Sequence, residues 1–177
     1  MRPITDTGWL DLHKWGVRGF NRGGRANWDG FCFGRKGQWT ECPDWDAEPE
    51  CGHGFHLMTP DDRGFGFCGA QIELVEWRGE YVGLGDKAKV SSLRRMDCSE
   101  ALLVEALRRC AVAVIDGDAT VTAGIAVVLT GSPKITMSGG EVYTYDTSAP
   151  VVTQSGGEVC KCGDSAPKIT RVKEKDE

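Results

Sequence analysis

The chain has 177 residues, a formal net charge of -5 at pH 7 and a sequence pI near 5.3. A chain of this length buries enough surface to form a stable core without covalent cross-links, so we expect one domain, or one domain with an appendage. The acidic balance excludes general nucleic-acid binding as the main activity, because that affinity comes from clustered Lys and Arg.

Membrane insertion and secretion are not expected either. No apolar run approaches the roughly 20 residues that cross a bilayer, and the opening segment lacks the apolar centre of a signal peptide. We therefore expect a cytoplasmic protein. In that reducing compartment the eight cysteines are expected to be buried thiols, metal ligands or reactive groups rather than disulfides.

From Trp9 to about Phe67 the sequence combines Gly, Trp and charged residues with turn signals, and it shows no sustained helical period. This composition predicts short strands joined by long loops. Several tryptophans stand in loop-like contexts, namely "NWDGF", "QWTE" and "PDWDAE". Two interpretations stay open: the indoles pack in the core, or they are the aromatic anchors of a binding surface.

A cluster of cysteines and histidines lies within this region. Cys42, Cys51, His53 and His56 offer two thiolates and two imidazoles, the ligand set of a tetrahedral structural zinc site. Zinc would supply folding energy to a Gly-rich loop that contains few apolar residues. The C-x8-C-x-H-x2-H spacing differs from the common zinc spacings, which place the ligands in two compact pairs.

Two other roles fit the same residues. In the first, Cys51 packs beneath a strand and His56 donates a hydrogen bond to a backbone carbonyl. In the second, Cys51 is a nucleophile whose thiolate is favoured by the neighbouring His53 and His56. The base that activates a cysteine usually comes from a distant part of the chain, which disfavours the second role.

Two regular elements are predicted after the loop region. In "AQIELVEWRGEYVGLG" (Ala70 to Gly85) apolar side chains fall on both faces, which predicts a strand covered on both sides. In "MDCSEALLVEALRRC" (Met96 to Cys110) an apolar stripe follows the helical period, and Asp97 with Glu100 matches a capping box. This segment is the one main helix of the predicted fold.

After Cys110 charged residues become rarer and the sequence repeats itself with a period of 17 residues. "GGEVYTYDTSAPVVTQS" (Gly139 to Ser155) is followed by "GGEVCKCGDSAPKITRV" (Gly156 to Val172). Stacked coils of this kind form a β-solenoid, because each coil buries its inner side chains only against its neighbours. The same step aligns three sets of residues: Pro133, Pro150 and Pro167; Ile135, Val152 and Ile169; Ile125, Val142 and Val159.

Alternation along the strands then assigns side chains to the two faces of the coils. It places Ala126, Tyr143 and Cys160 in one column, Val128, Tyr145 and Cys162 in the next, and Lys134, Lys161 and Lys168 outside. On this interpretation the Cys-x-Cys pair is a packing feature rather than a metal site.

The elements together predict an α+β fold. A β-rich N-terminal domain with one main helix covers residues 1–110, and a short β-solenoid of 17-residue coils covers residues 111–170. Residues 171–177 alternate in charge and are predicted to be a solvated tail that keeps the open last coil from pairing with another chain. The solenoid is also the candidate face for homo-oligomerisation.

Three short motifs resemble an uncharacterised domain family of phages and bacteria. They are "KWGVRGF" (Lys14 to Phe20), "CGHGFHLMTPDD" (Cys51 to Asp62) and "GDKAKVSSL" (Gly85 to Leu93). The family is similar in its Lys-Gly-Phe opening, its Cys-x-x-Gly-Phe-His segment and its trailing Gly-rich repeats. The chain departs from this pattern at Arg18 in the opening and at Leu57, next to the histidine, where the family often has a further cysteine. The resemblance implies a phage-type protein and carries no known activity.

A looser resemblance is to ADP-ribosyltransferases, in which strands such as "GHGFHLM" and "AQIELVEW" form half of a nicotinamide pocket. This resemblance implies NAD as the cofactor, with His13 near the ribose and Phe55 or His56 against the nicotinamide. The acidic residue would be Glu73 or Glu76, so the catalytic set would be His13, His56 and Glu76. Arg22, with Arg18 and Arg25 nearby in sequence, would contact a phosphate.

Two functions follow from these patterns. The first is a phage-type accessory or anti-defence protein that binds a host protein non-covalently in the host cytoplasm, through its N-terminal Trp and Arg loops or its solenoid face. The second is an ADP-ribosyltransferase-like enzyme. The first is favoured, because the sequence has no P-loop, dinucleotide-binding fingerprint or known metalloenzyme motif. The observation that best separates them is whether His13, His56 and Glu76 line one cavity.

Overall fold

The computed structural model describes residues 3–26, 31–62 and 69–172. These residues form two helices and eleven strands in the order α1 (Trp9–Leu12), β1 (Trp15–Phe20), β2 (Trp39–Glu41), β3 (Phe55–Leu57), β4 (Gln71–Gly83), β5 (Ala88–Arg95), α2 (Glu100–Arg109), β6 (Val112–Val114), β7 (Ala119–Val121), β8 (Ile125–Gly131), β9 (Lys134–Ser148), β10 (Val151–Lys161) and β11 (Lys168–Arg171). The chain divides into two compact units, Met1–Ala111 and Val112–Glu177. The predicted α+β fold, β-rich with one main helix and a solenoid, is confirmed.

The strands of the first unit form one antiparallel sheet. Its order is β1–β4–β5–β2, and β3 pairs with another part of β5. Val17 of β1 and Met58, which follows β3, exchange two backbone hydrogen bonds of 2.8 and 2.9 Å. The pairing therefore runs from β1 through β4, β5 and β3 back to β1, and the sheet closes on itself.

Strand β4 is covered on both sides, as its sequence predicted. Leu74 and Val75 point to opposite faces, and both are fully buried. One face packs in a cluster of apolar side chains: Phe20, Ala26, Phe33, Phe55, Leu57, Val75, Val90 and Leu93. Helix α2 contacts β1 and β4 and buries Leu102, Ala106 and Leu107. Packing on both faces fixes the position of β4. The polar and aromatic side chains that β4 also carries are therefore fixed to a rigid strand.

Helix α2 begins later than the sequence predicted. Its N-cap is Ser99, whose hydroxyl accepts a 3.2 Å hydrogen bond from the Leu102 backbone, and not Asp97. The residues before Ser99 are extended, because Cys98 forms a bridge with Ile4 near the start of the chain. The capping-box pattern at Asp97 therefore belongs to backbone that is already paired in an extended conformation.

The second unit is a solenoid of about three turns whose strands pair in parallel. Val152 of β10 lies in register with Ile135 of β9 and with Ile169 of β11, so the predicted 17-residue step is confirmed for these coils. Ile135 and Val152 are buried, whereas Ile169 in the last coil is 41% exposed. Residues of this inward column are thus buried in coils that are followed by another coil, and exposed in the last coil.

The first coil and the assignment of faces differ from the prediction. Val142 pairs with Ala126 and not with Ile125, because this coil is one residue shorter. Val142 and the half-buried Val159 belong to the solenoid core, so their neighbours Tyr143 and Cys160 lie on the other face of the strands. The predicted columns of inner residues are therefore wrong by one position, although Tyr143 and Cys160 do pair in register.

Glycines with positive φ angles form corners of the coils. Gly124, Gly140 and Gly157 have φ angles of 74°, 72° and 78°, a region that side chains with a Cβ rarely adopt. A Cβ on Gly140 would lie 2.6 Å from the carbonyl oxygen of Gly124, and one on Gly157 would lie 2.6 Å from that of Gly140. The repeated Gly-Gly pairs are therefore required by both the turn and the close stacking of coils.

Two further predictions concern membrane insertion and the charged C-terminal segment. Among the described residues no helix has the length and hydrophobicity needed to span a membrane. In the charged C-terminal segment 171–177, Arg171 belongs to β11, and residues 173–177 lie outside the described residues.

The solenoid register predicts how two adjacent valines respond to the same substitution. Val152→Asp places a charge in the buried column and should lower the free energy of unfolding by roughly 3 kcal/mol or more. Val151→Asp, at a position 40% exposed, should change it by less than about 0.5 kcal/mol. Urea denaturation followed by circular dichroism measures both variants. Equal destabilisation by the two substitutions would contradict the register.

Candidate functional site

A cleft among the described residues of the N-terminal unit is a candidate site. It has a volume of about 330 Å³, and its lining comes from three segments distant in sequence: His13, Lys14 and Trp15; Thr59, Pro60 and Asp61; Trp77 and Tyr81. The pairing of β1 with β4 brings the first and third segments together, since the Trp77 amide donates a 2.9 Å hydrogen bond to the Lys14 carbonyl. The bridge between Val17 and Met58 brings in the second.

The aromatic wall of the cleft is formed by two residues of β4. The rings of Trp77 and Tyr81 stack with their centroids 5.0 Å apart and their planes inclined by 26°. Between them the register of β4 against β5 shifts, and Gly79 takes a φ of 76°. The ammonium of Lys14 lies 4.9 Å from the centre of the Trp77 ring, a distance typical of a cation–π contact.

The loop that follows β3 forms a fixed rim. The Thr59 hydroxyl accepts hydrogen bonds from the amides of Asp61 and Asp62, at 3.3 and 3.2 Å. The buried carboxylate of Asp62 accepts the Tyr81 hydroxyl and the Gly85 amide. Burial and this hydrogen bond to Asp62 raise the pKa of Tyr81 to about 12, so the phenol stays protonated and keeps donating. The rim and the aromatic wall are thus joined.

Two of the three residues proposed as catalytic are brought together. His13 Nδ1 lies 2.9 Å from Glu76 Oε1, and the His13 ring stacks on Trp9 at 4.3 Å. The other carboxylate oxygen of Glu76 accepts from Arg94 Nε at 2.6 Å. His56 is on β3, where it pairs with Lys89 of β5, and it does not line the cleft. Of the proposed catalytic set, His13 and Glu76 are therefore in contact, and His56 lies outside the cleft that His13 lines.

The other residues implied by the transferase resemblance are also dispersed. Phe55 is buried among aromatic rings, 4.8 Å from Phe33 between ring centroids, so its ring lies in the core. The guanidinium of Arg95 donates two hydrogen bonds, of 2.8 and 2.7 Å, to the carboxylate of Glu73. Arg22 lies in the turn that follows β1, and it is not among the residues that line the cleft.

The proposed zinc ligands are arranged differently from a tetrahedral site. Cys42 Sγ donates to one oxygen of Asp44 at 3.1 Å, and His53 Nδ1 lies 3.3 Å from the other. Burial, together with the hydrogen bond to Asp44, raises the pKa of Cys42 to about 11, which favours the thiol over the thiolate that zinc binds. Cys51 is exposed. Within the described ranges no three His, Cys, Asp or Glu side chains form a group that could hold a metal.

Zinc binding by Cys42, Cys51, His53 and His56 stays a prediction from the sequence, and elemental analysis tests it. If the loop closes around the metal, protein purified without added zinc should contain close to one equivalent, and Cys42→Ser should lose it while Cys32→Ser keeps it. Affinity should fall as the pH drops through the histidine range, because the ligands must lose protons. Folded protein with less than about a tenth of an equivalent would contradict the prediction.

His56 has an unusual environment of its own. Its Nε2 atom is buried, and within the described part of the chain it has no hydrogen-bond partner. Burial, followed by the charges of Arg18, Lys87 and Lys89, lowers the pKa of His56 from 6.5 to about 4. The imidazole is therefore neutral at pH 7, which argues against His56 as the imidazolium that would activate Cys51.

The lowered pKa of His56 predicts a loss of stability in acid. In the unfolded chain His56 takes up a proton near pH 6.5, whereas the folded protein resists protonation until about pH 4. Stability should therefore fall across this interval, by at most about 1.4 kcal/mol per pH unit from this residue. The loss between about pH 7 and about pH 5 should be smaller in His56→Gln than in the wild type. Urea titrations of both proteins at the two pH values measure this loss, and an equal loss in the two would contradict the assignment.

A second feature lies on β2, β5 and β4. We call it the aromatic–arginine face and define it as Trp39, Glu41, Glu76, Arg78 and Arg94. Strand pairing arranges it in two rows: Trp39 beside Arg94 beside Glu76, and Glu41 beside Ser92 beside Arg78. The guanidinium carbons of Arg78 and Arg94 lie 4.3 and 4.7 Å from the centre of the Trp39 ring. Glu41 accepts from Arg78 at 2.8 Å and from Ser92 at 3.0 Å.

No family model, curated protein or solved structure matches the chain. The resemblance to the phage and bacterial domain family therefore stays a prediction that rests on its motifs.

Proposed function

We propose that the chain is a phage-type accessory or anti-defence protein that binds a host protein without covalent chemistry. The aromatic–arginine face is the contact surface, and the solenoid serves as a scaffold or as an oligomerisation face. The protein acts in the cytoplasm of the host. The motif resemblance supports the phage-type setting, and the composition of the face supports binding as the activity.

The observation that carries this proposal is the position of Trp39 against two arginines. Tryptophan and arginine are the residues most enriched among those that dominate the energy of protein interfaces. A guanidinium stacks on an aromatic ring while its N–H groups remain available in the plane. Arg78 is 53% exposed at its side chain, so the outer part of this stack faces solvent and a partner can reach it.

Carboxylates paired with the arginines make the face suitable for recognition. Glu41 holds Arg78, and Glu76 holds Arg94, whose Nη2 lies 2.5 Å from the carboxylate. Long side chains that are already held in place lose less conformational entropy when a partner binds. The face therefore presents flat, ordered groups on a rigid sheet rather than on mobile loops.

The proposal predicts that a host protein co-purifies with the full chain and depends on Trp39. Once that protein is identified by mass spectrometry, calorimetry should show that Trp39→Ala weakens its affinity by about tenfold or more, since an anchor residue contributes at least 1.4 kcal/mol. Trp45→Ala is the matched control, because Trp45 lies outside the face and stacks with Lys89 instead. Circular dichroism verifies that both variants are folded. Equal affinities for the two variants would contradict the proposed surface.

A second candidate, an ADP-ribosyltransferase-like enzyme that uses NAD, is favoured by one observation. His13 and Glu76 are in contact at 2.9 Å, and His13 lines the cleft. Incubation of the protein and of His13→Ala with labelled NAD and host extract separates the two functions. Label that is transferred to a host protein by the wild type and not by His13→Ala would overturn the binding proposal. No transfer, together with a stable partner, would support it.

A further inference from the structure

The cleft between β1 and β4 has the dimensions of a small-molecule site. Its volume of about 330 Å³ falls at the lower end of the roughly 300–1,000 Å³ typical of ligand pockets. Its lining combines aromatic rings with a few polar groups, which is also typical of such pockets. Hydrogen bonds between Asp62, Tyr81 and Gly85 fix the rim to the wall, so the site is formed before any ligand arrives.

The indole of Trp77 is the surface in this cleft on which a planar group can stack. It is half-buried, it packs in part against the apolar core, and Tyr81 supports it by stacking at 5.0 Å. Supported aromatic rings of this kind accept a further planar ring, and nucleobases stack on them with little dependence on sequence. A flat heteroaromatic group is therefore the chemistry that the apolar part of the cleft fits.

The charged groups at the cleft favour an anionic substituent on that flat group. Lys14 is exposed, and its ammonium lies over the Trp77 ring at 4.9 Å. A cationic ligand would have to displace this ammonium and would be repelled by it. An entering neutral ring instead replaces the ammonium on the indole, and the flexible Lys14 side chain is then able to pair with a phosphate.

The remaining polar groups suit a sugar between the base and the phosphate. The carboxylate of Asp61 is an acceptor for hydroxyl groups, and its backbone is fixed by the Thr59 hydroxyl at 3.3 Å. His13, held by Glu76, adds an imidazole to the lining. Acceptors and donors thus occur in the same small space as the aromatic platform.

We propose that this cleft binds a nucleoside monophosphate, with the base on Trp77 and the phosphate at Lys14. This site is a further activity beyond recognition of a host protein. Its test residues, Lys14 and Trp77, do not belong to the aromatic–arginine face, so either site is able to fail in an experiment without the other.

The test uses the full chain and the 5′-monophosphates of adenosine, cytidine, guanosine and uridine, titrated by saturation-transfer NMR and calorimetry. At least one monophosphate should bind. Its nucleoside and inorganic phosphate should each bind at least about tenfold more weakly, because each lacks one of the two interactions. A nucleoside that binds as tightly as its monophosphate would overturn the role of Lys14, and inorganic phosphate that binds as tightly would overturn the role of Trp77.

Variants of the same chain locate the site. Lys14→Glu should weaken monophosphate binding by at least about tenfold, and it leaves the fold intact because the Lys14 side chain is on the surface. Lys36→Glu is the matched control, since Lys36 is exposed in the same unit and pairs with Asp97 away from the cleft lining. Trp77→Leu should abolish binding while circular dichroism reports its fold. Failure of all four monophosphates to bind the wild type, or equal binding by Lys14→Glu and Lys36→Glu, would overturn the proposal.

Discussion

The antiparallel pairing of β1 with β4 is the constraint on which the N-terminal unit depends. Trp15 pairs with Glu76, and Val17 pairs with Leu74. The two residues that precede β1 consequently lie beside β4, His13 against Glu76 and Lys14 against Trp77. A shift by one residue would move every side chain of β4 to the opposite face. The register is resistant to such a shift, because both faces of β4 are already packed.

The same strand supplies both surfaces considered for function. Trp77 and Tyr81 form the aromatic wall of the cleft, whereas Glu76 and Arg78 belong to the aromatic–arginine face. Successive residues of a strand point in opposite directions, so one rigid element presents two chemically different sites. The solenoid in the second unit is built differently, since its Gly corners and inward valines serve the stacking of coils.

The sequence predicted elements that leave a periodic signal and missed arrangements that depend on pairing between distant segments. Apolar residues on both faces of β4 and the 17-residue repeat were sufficient to predict a covered strand and a solenoid. Ala126 was aligned with Tyr143 and not with its partner Val142 because the coil before Val142 is one residue shorter, and a strict period does not reveal such a deletion.

The cleft was missed for a related reason. In the sequence Trp77 belongs to a predicted strand and Lys14 to a family motif, but no local pattern indicates that they meet. Their contact follows from the register of β1 on β4, and the Thr59–Asp62 rim follows from the bridge of Met58 with Val17. The Cys and His cluster shows the opposite relation, since residues close in sequence are distributed between an exposed loop and the face of β3 next to Lys89.

The central claim, that the N-terminal unit recognises a partner non-covalently through its aromatic–arginine face, is tested most directly by hydroxyl-radical footprinting of the full chain with its co-purified partner. Mass spectrometry compares the oxidation of individual tryptophans in the free and bound protein. The account predicts that Trp39 becomes protected in the complex while Trp45 keeps its reactivity, and that the partner dissociates without a change in mass. Unchanged reactivity of Trp39, or a partner that leaves with an added ADP-ribose, would contradict it.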